Sequence, residues 1–284
     1  MRSSNGKCEA RERWREIVVR RRRQLRAREE ASGVDAESAA FRTYAAQLQA
    51  DVRERPPSGL LMDMLRQHVR PDSVVLDVGA GPGRYTLPLA RLAARVVAVE
   101  PSEQMADYLE ENLAAAQIAN AVVVRQRWQE ADVPCADIVL CAHVLYDVED
   151  VGSFVWRLDE HARRACFLLH HIGQYDPLLR ALWQCVYDEE RAPMPVVADL
   201  MPVLAELGLP ASVAGTMAPT MRLSFRDIAE AVAYCTERMA LRYDDTAIRH
   251  RVERYLRDLL LPMNGRLVAP PVEGVAVVWW AKGT

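Results

Sequence analysis

The chain has 284 residues, of which 50% are hydrophobic and 26% charged, a composition typical of a globular protein. Its net charge of −3 gives no global field that would attract nucleic acid or an anionic membrane. No apolar run approaches the roughly 18 residues of a membrane span, and no segment near the start resembles a signal peptide. The six cysteines form no Cys-x-x-Cys pair, so neither a metal site nor a disulfide framework is expected. We therefore expect a cytoplasmic protein without membrane or nucleic-acid partners.

Residues 1–58 are predicted to form helices outside the main domain. A segment rich in Arg and Glu carries a thin apolar stripe at Trp14, Val18 and Leu25, and a second helical stretch follows over 36–53. Since these residues hold too few large apolar side chains to fold alone, they must pack against the rest of the chain. We expect either a lid over an active site or a dimerisation arm, so a homodimer remains open.

Residues 59–284 are predicted to form one α/β domain, because short β-branched runs alternate with helical segments from residue 73 onward. This pattern predicts a Rossmann-like, mostly parallel sheet of seven strands with helices on both faces. Residues 224–261 are helical in pattern and indicate a helical cap inserted at about 222–263. The predicted strands are Ser73–Val78, Arg95–Glu100, Ala121–Gln126, Ile138–Ala142, Ala165–His170, Ser212–Met217 and Val275–Ala281.

A glycine-dense turn follows the first strand, in the run Asp77-Val-Gly79-Ala-Gly81-Pro-Gly83-Arg84. Glycines in such a turn let the backbone approach a ligand closely and adopt positive φ. The fingerprint of dinucleotide-binding proteins is Gly-x-Gly-x-x-Gly, and here Arg84 replaces its third glycine. A P-loop would need a lysine, which this region lacks.

Acidic side chains stand beside this turn and at the end of the second strand. Asp77 precedes the first glycine by two residues, and a carboxylate there suits a cationic or amine-bearing ligand better than a pyrophosphate. Glu100, at the carboxyl end of a neighbouring strand, is placed to accept hydrogen bonds from ribose hydroxyls. The pattern therefore indicates a ribose, an adenine-like ring and a charged amino-acid tail, which describes S-adenosylmethionine (SAM).

With these motifs the chain resembles the class I SAM-dependent methyltransferases that act on small molecules, most clearly over residues 60–170. The resemblance implies SAM as the methyl donor and S-adenosylhomocysteine as the product. It also implies that the glycine loop holds the methionine part, Glu100 the ribose, and the residues after strands two and three the adenine. The implied cofactor-binding residues are Asp77, Gly79, Ala80, Gly81, Gly83, Tyr85, Thr86, Glu100, Pro101, Met105, Trp128, Gln129 and Cys141.

The methyl acceptor must lie beside the carboxyl ends of strands four and five, where ligands bind in open α/β sheets. Four side chains at the strand ends are candidates for acid, base or positioning roles: His143, Tyr146, His170 and His171. Tyr175, farther along the loop after strand five, is a further candidate. The resemblance further places Phe41 and Tyr44 near the cofactor, whereas Phe225, Tyr234 and Tyr243 are candidates for a lid.

Two other functions stay open. One is methylation of RNA or protein, although the Asp/Asn-Pro-Pro-Tyr/Phe motif of base-amino methyltransferases is replaced here by Cys141-Ala-His143-Val. The other is a catalytically silent subunit that keeps a SAM pocket for stability.

Overall fold

A seven-stranded sheet forms the centre of the computed structural model, which describes residues 8–35, 45–46, 48–52, 57, 59–174, 177–216, 223–242, 245–270 and 274–283. The strand order is β3-β2-β1-β4-β5-β10-β6. Its strands are β1 (Val74–Val78), β2 (Arg95–Val99), β3 (Ala121–Val124), β4 (Ala136–Ala142), β5 (Ala162–His171), β6 (Ser212–Thr216) and β10 (Val275–Ala281). A second sheet has the order β7-β9-β8, with β7 (Ser224–Phe225), β8 (Leu261–Met263) and β9 (Arg266–Val268).

The first five strands run parallel, and β10 pairs antiparallel with both β5 and β6. The inner strands are buried along most of their length, as strands covered by helices on both faces must be. The predicted Rossmann-like architecture is confirmed. The strand order reverses between β1 and β4, so the carboxyl ends of these two strands form the crevice in which such sheets bind ligands.

Helices connect the strands and cover the sheet. Their bounds are α1 (Glu9–Ser32), α2 (Leu60–His68), α3 (Thr86–Ala90), α4 (Glu103–Ala115), α5 (Val151–His161), α6 (Pro177–Tyr187), α7 (Val197–Glu206), α8 (Ile228–Arg238) and α9 (Thr246–Leu259). Residues 45–46 and 48–52 are also helical. No helix within these described parts is long and apolar enough to cross a membrane.

The long helix α1 is part of the main core and is not a detached arm. Trp14 and Val18 are fully buried in the cluster that also contains strand residues and α7. The indole N–H of Trp14 donates to the carbonyl oxygen of Val148 over 2.8 Å. The apolar stripe predicted for this helix therefore packs on the sheet domain itself.

The cap predicted at about 222–263 contains two helices in its described residues, α8 and α9, with the short strand β7 before them and β8 after them. Strand β9 follows β8 and completes the small sheet. Helix α6 packs with α8 and α9 around a separate apolar cluster that includes Trp183, Phe225 and Tyr234.

Replacement of Trp14 tests whether α1 is integral to the fold. Trp14→Ala should lower the free energy of unfolding by about 3–5 kcal/mol, the usual cost of removing a buried aromatic side chain. Trp156→Ala is the matched control, because this indole is 46% exposed and its loss should change stability little. Denaturant unfolding of both variants gives the comparison, and equal stabilities would show that α1 is dispensable for the fold.

Candidate active site

The turn after β1 brings the backbone close to its surroundings at two glycines. A Cβ at Gly79 would lie 2.3 Å from a methyl carbon of Val144, and one at Gly83 would lie 2.4 Å from Leu87. Both residues have positive φ. Gly81 differs, because its φ is also positive but nothing lies within 4 Å of its Cβ position. The turn therefore packs tightly at both ends and leaves open space at its centre.

Glu100 holds the centre of this turn. One of its carboxylate oxygens accepts a hydrogen bond of 2.8 Å from the backbone N–H of Gly81. The other accepts a hydrogen bond of 2.9 Å from the backbone N–H of Ser102. Since a carboxylate has about four lone-pair positions, two of them stay open to a ligand. The side chain is only 7% exposed, and burial raises its pKa.

Asp77 precedes the turn, and its carboxylate accepts a hydrogen bond of 2.6 Å from the hydroxyl of Thr86. Burial raises the pKa of Asp77 to about 6; the Thr86 hydrogen bond opposes this rise and nearby Glu100 adds to it. Within the described residues, neither Asp77 nor Glu100 forms a salt bridge with a basic side chain. Two neighbouring buried carboxyl groups without a described cation favour a positively charged ligand.

The residues predicted to border adenine differ in how exposed they are. Pro101 and Gln129 are exposed, whereas Met105 is buried on the first turn of α4. The indole of Trp128 is 3% exposed and donates to the carbonyl of Phe154 on α5, so this side chain packs in the core. That Trp128 borders adenine stays a prediction.

Three further members of the predicted set lie around the turn. Ala80 is buried, and Tyr85 is partly buried at the start of α3. Cys141, at the end of β4, is 1% exposed. Burial raises the pKa of the Cys141 thiol, with a smaller contribution from the charge of Asp77, so this thiol stays protonated and is no nucleophile.

The four acceptor-side candidates converge in space. Nδ1 of His143 lies 2.8 Å from the hydroxyl oxygen of Tyr146, and the Tyr146 ring stacks on His170 with centroids 4.4 Å apart. The ring centroids of His143 and His171 are 4.9 Å apart. We call His143, Tyr146, His170 and His171 the imidazole cluster. It adjoins the glycine turn, because Val144 follows His143 and contacts Gly79.

Helix α1 fixes the loop that carries Tyr146, a role not predicted from the sequence. Trp14 and Arg22 donate to the consecutive carbonyl oxygens of Val148 and Asp147. The Trp14 ring also lies 5.8 Å from that of His170. The apolar stripe of α1 predicted that one face of the helix is buried. It could not predict which loop that face contacts.

A second N-terminal contact reaches the glycine turn. The side-chain amides of Gln49 and Asn112 bond to each other, and Asn112 also donates to the carbonyl of Pro82 over 2.9 Å. No sequence pattern singled out this buried amide pair. Both N-terminal contacts reach loops of the candidate site. Phe41, Tyr44, Tyr175 and Tyr243 lie outside the described residues, while Phe225 and Tyr234 pack in the cap cluster. The described part of the chain holds no group of three or more His, Cys, Asp or Glu placed to bind a metal.

Comparison with known proteins agrees with this geometry. Residues 75–163 match a family model described as a methyltransferase domain. The YcgJ protein from Bacillus subtilis has a TM-score of 0.54 at 14% identity over 79% of this chain and 98% of its own, a likeness of fold. An uncharacterized protein of Haemophilus influenzae is 30% identical over 115 residues, 39% of this chain and 42% of its own. The "Probable ribosomal RNA small subunit methyltransferase A" of Methanopyrus kandleri is 35% identical over 86 residues, 30% of each chain.

The chain thus spans less than half the length of these two curated relatives. The matched region runs from β1 to the start of β5 and includes the glycine turn, Glu100 and His143. Over residues 75–163 the chain therefore matches a methyltransferase domain.

The buried histidines make stability depend on pH. Burial, reinforced by neighbouring His171, lowers the pKa of His170 to about 3, from 6.5 for a free side chain. Below pH 6.5 the unfolded chain therefore binds a proton that the native chain excludes, so stability falls as the pH drops from 6.5 toward 3. The slope is about 1.4 kcal/mol per pH unit for each such histidine. Asp77 acts in the opposite direction between pH 3.8 and about 6, since its pKa is raised.

His170→Gln should make the loss of stability on acidification shallower, because glutamine binds no proton in either state. The measurement is the free energy of unfolding at several pH values between 7 and 4. His250→Gln, at an exposed position, should keep the wild-type slope. Identical slopes in wild type and His170→Gln would contradict a buried, neutral His170.

Proposed function

We propose that the chain binds SAM in the cleft between the glycine turn and Glu100 and transfers its methyl group to a small-molecule acceptor. The observation that carries this proposal is the pair of buried carboxyl groups, Asp77 and Glu100, for which no described basic side chain compensates. SAM carries a sulfonium and an ammonium, whereas a dinucleotide would bring a pyrophosphate into the same negative site. The methyltransferase match over 75–163 supports the same ligand.

Each part of SAM has a matching group in the cleft. The two open lone-pair positions of Glu100 suit the ribose hydroxyls, and the open space at Gly81 admits the methionine part. Adenine packs against Pro101 and Met105 in this proposal, since both follow Glu100 closely in the chain. Bound SAM supplies an activated methyl on a leaving group that departs as a neutral thioether. The protein's own contribution is then to align the acceptor and to exclude water.

Helix α1 and the segment 190–196 supply that alignment. Trp14 fixes the loop after β4, and the residues 190–196 run between α1 and the imidazole cluster, with the carbonyl of Pro195 beside His170. A lid built in this way covers the acceptor side of the cleft. This arrangement favours a lid over a dimerisation arm, although it leaves a homodimer possible through other surfaces.

An RNA acceptor is the second candidate, because one relative is named a ribosomal RNA methyltransferase. The arginine-rich helix α1 does not favour it, since several of its arginines are engaged within the chain. Arg11 pairs with Glu206, Arg22 with Glu149 and Arg28 with Glu189. Engaged guanidinium groups are unavailable to neutralise phosphates.

Calorimetry tests the proposed cofactor. SAM and S-adenosylhomocysteine should bind the full chain, and NAD should not. Glu100→Ala should weaken SAM binding by about 1–3 kcal/mol, because charge-assisted hydrogen bonds to the ribose disappear. Glu103→Ala, which removes an exposed carboxylate three residues away, should bind SAM as the wild type does. NAD binding without SAM binding would refute the proposal.

Gly81→Ala tests whether the open space at the turn belongs to the ligand. The positive φ should cost about 1 kcal/mol of stability, while the new methyl group should obstruct the cleft and weaken SAM binding at least tenfold. Gly208→Ala imposes a comparable positive φ at a helix end outside the site. Calorimetry should then show unchanged SAM affinity in Gly208→Ala, and an equal loss in both variants would contradict the assignment.

A further inference from the structure

The imidazole cluster presents proton acceptors and no carboxylate. The groups that face His143 are His170 and His171 on β5, Arg84 in the glycine turn, and Tyr146 on its own loop. Burial, followed by the effects of His171, His170 and Arg84, lowers the pKa of His143 to about 3. An ammonium compound would find no described counter-charge here. The cluster therefore suits an uncharged acceptor.

His170 adds a buried acceptor atom that the protein leaves unused. Its Nε2 lies 3.1 Å from the carbonyl oxygen of Pro195. Because a carbonyl only accepts, Nε2 carries the proton and Nδ1 has a bare lone pair. This Nδ1 is buried and makes no hydrogen bond to the residues that the structure describes, on a side chain that is 1% exposed. A buried acceptor left without a donor is unfavourable, and a ligand hydroxyl would relieve that cost.

The partly exposed members of the cluster are His143 and Tyr146. His143 has φ +60, a strained conformation for a residue with a side chain. Its backbone N–H donates to the carbonyl of Leu169, which fixes the strained residue against β5. The hydrogen bond between Tyr146 and His143 is thus held next to Val144, the residue that contacts Gly79 of the turn.

On the basis of the proposed function, we propose that the acceptor is a neutral hydroxyl compound whose proton passes through Tyr146 to Nδ1 of His143. The acceptor oxygen attacks the methyl carbon, a carbon–oxygen bond forms, and the carbon–sulfur bond breaks with its electron pair going to sulfur. The hydroxyl proton moves to the Tyr146 oxygen as the Tyr146 proton moves to Nδ1. The positive charge of the sulfonium thereby ends on the His143 imidazolium, which later loses the proton to water.

A weak base is sufficient for this step. The hydroxyl becomes strongly acidic only as its oxygen gains the methyl group, so a poorly basic imidazole can take the proton at that stage. A weak base also stays deprotonated at neutral pH and is ready for each turnover. The departure of the sulfonium charge further favours the imidazolium that forms.

Contacts of the SAM methyl group provide a test that needs no acceptor. With SAM labelled with carbon-13 at the methyl, isotope-filtered NMR should show contacts from the methyl to tyrosine ring protons. Tyr146→Phe should remove these tyrosine signals, and Tyr108→Phe, on the outer face of α4, should leave them. If SAM fails to bind, the proposed function fails. If it binds with these contacts absent, this inference alone is overturned.

The labelled SAM also reports the acceptor atom. Incubated with the protein-free filtrate of the cells that produce the chain, it should yield a new methoxy carbon signal. Tyr146→Phe keeps the ring that stacks on His170, so it should lower kcat about 100-fold, a typical loss for acid–base catalysis, at unchanged SAM affinity. An N-methyl product, or no labelled product with SAM bound, would overturn the hydroxyl assignment. An equal fall in kcat and SAM affinity would indicate a merely structural tyrosine.

Discussion

The carboxylate of Glu100 is the constraint on which the cleft depends. By accepting the N–H groups of Gly81 and Ser102, it ties the turn after β1 to the start of α4. The two strands that carry these segments are paired in parallel over their whole length, so their carboxyl ends meet at one edge. Burying this charge beside Asp77 costs free energy, and the cost is retained because a cationic ligand can offset it.

The two sides of the cleft use opposite electrostatics. The cofactor side holds carboxyl groups whose pKa values are raised by burial, and the acceptor side holds imidazoles whose pKa values are lowered by burial. Only a few residues separate them, since His143 follows Cys141 at the end of β4 and Cys141 pairs in register with Val78 of β1. In the proposed complex, a cation would be favoured on one side and disfavoured on the other, which would orient the sulfonium of SAM between them.

The sequence predicted those parts of the structure that repeat a simple physical pattern. Buried β-branched runs predicted the seven strands, and the glycines with Asp77 and Glu100 predicted a cleft at the edge where parallel strands end. The strands β7, β8 and β9 were missed because two or three residues are too few to show an alternating pattern. The burial of the Trp128 indole was not predicted, because an aromatic residue after a strand can lie at the edge or in the core, and only the position of α5 decides.

The N-terminal helices link these two sides. Trp14 bonds to the loop of the imidazole cluster, whereas Gln49 reaches the glycine turn through Asn112. Each contact uses a buried side chain, so each stabilises its loop only while the N-terminal segment is docked. In the proposed methyl transfer, these two contacts would hold the acceptor loop and the cofactor loop in one relative placement. In a direct displacement such placement is the main source of rate, so the proposal gives these buried N-terminal contacts a role beyond stability.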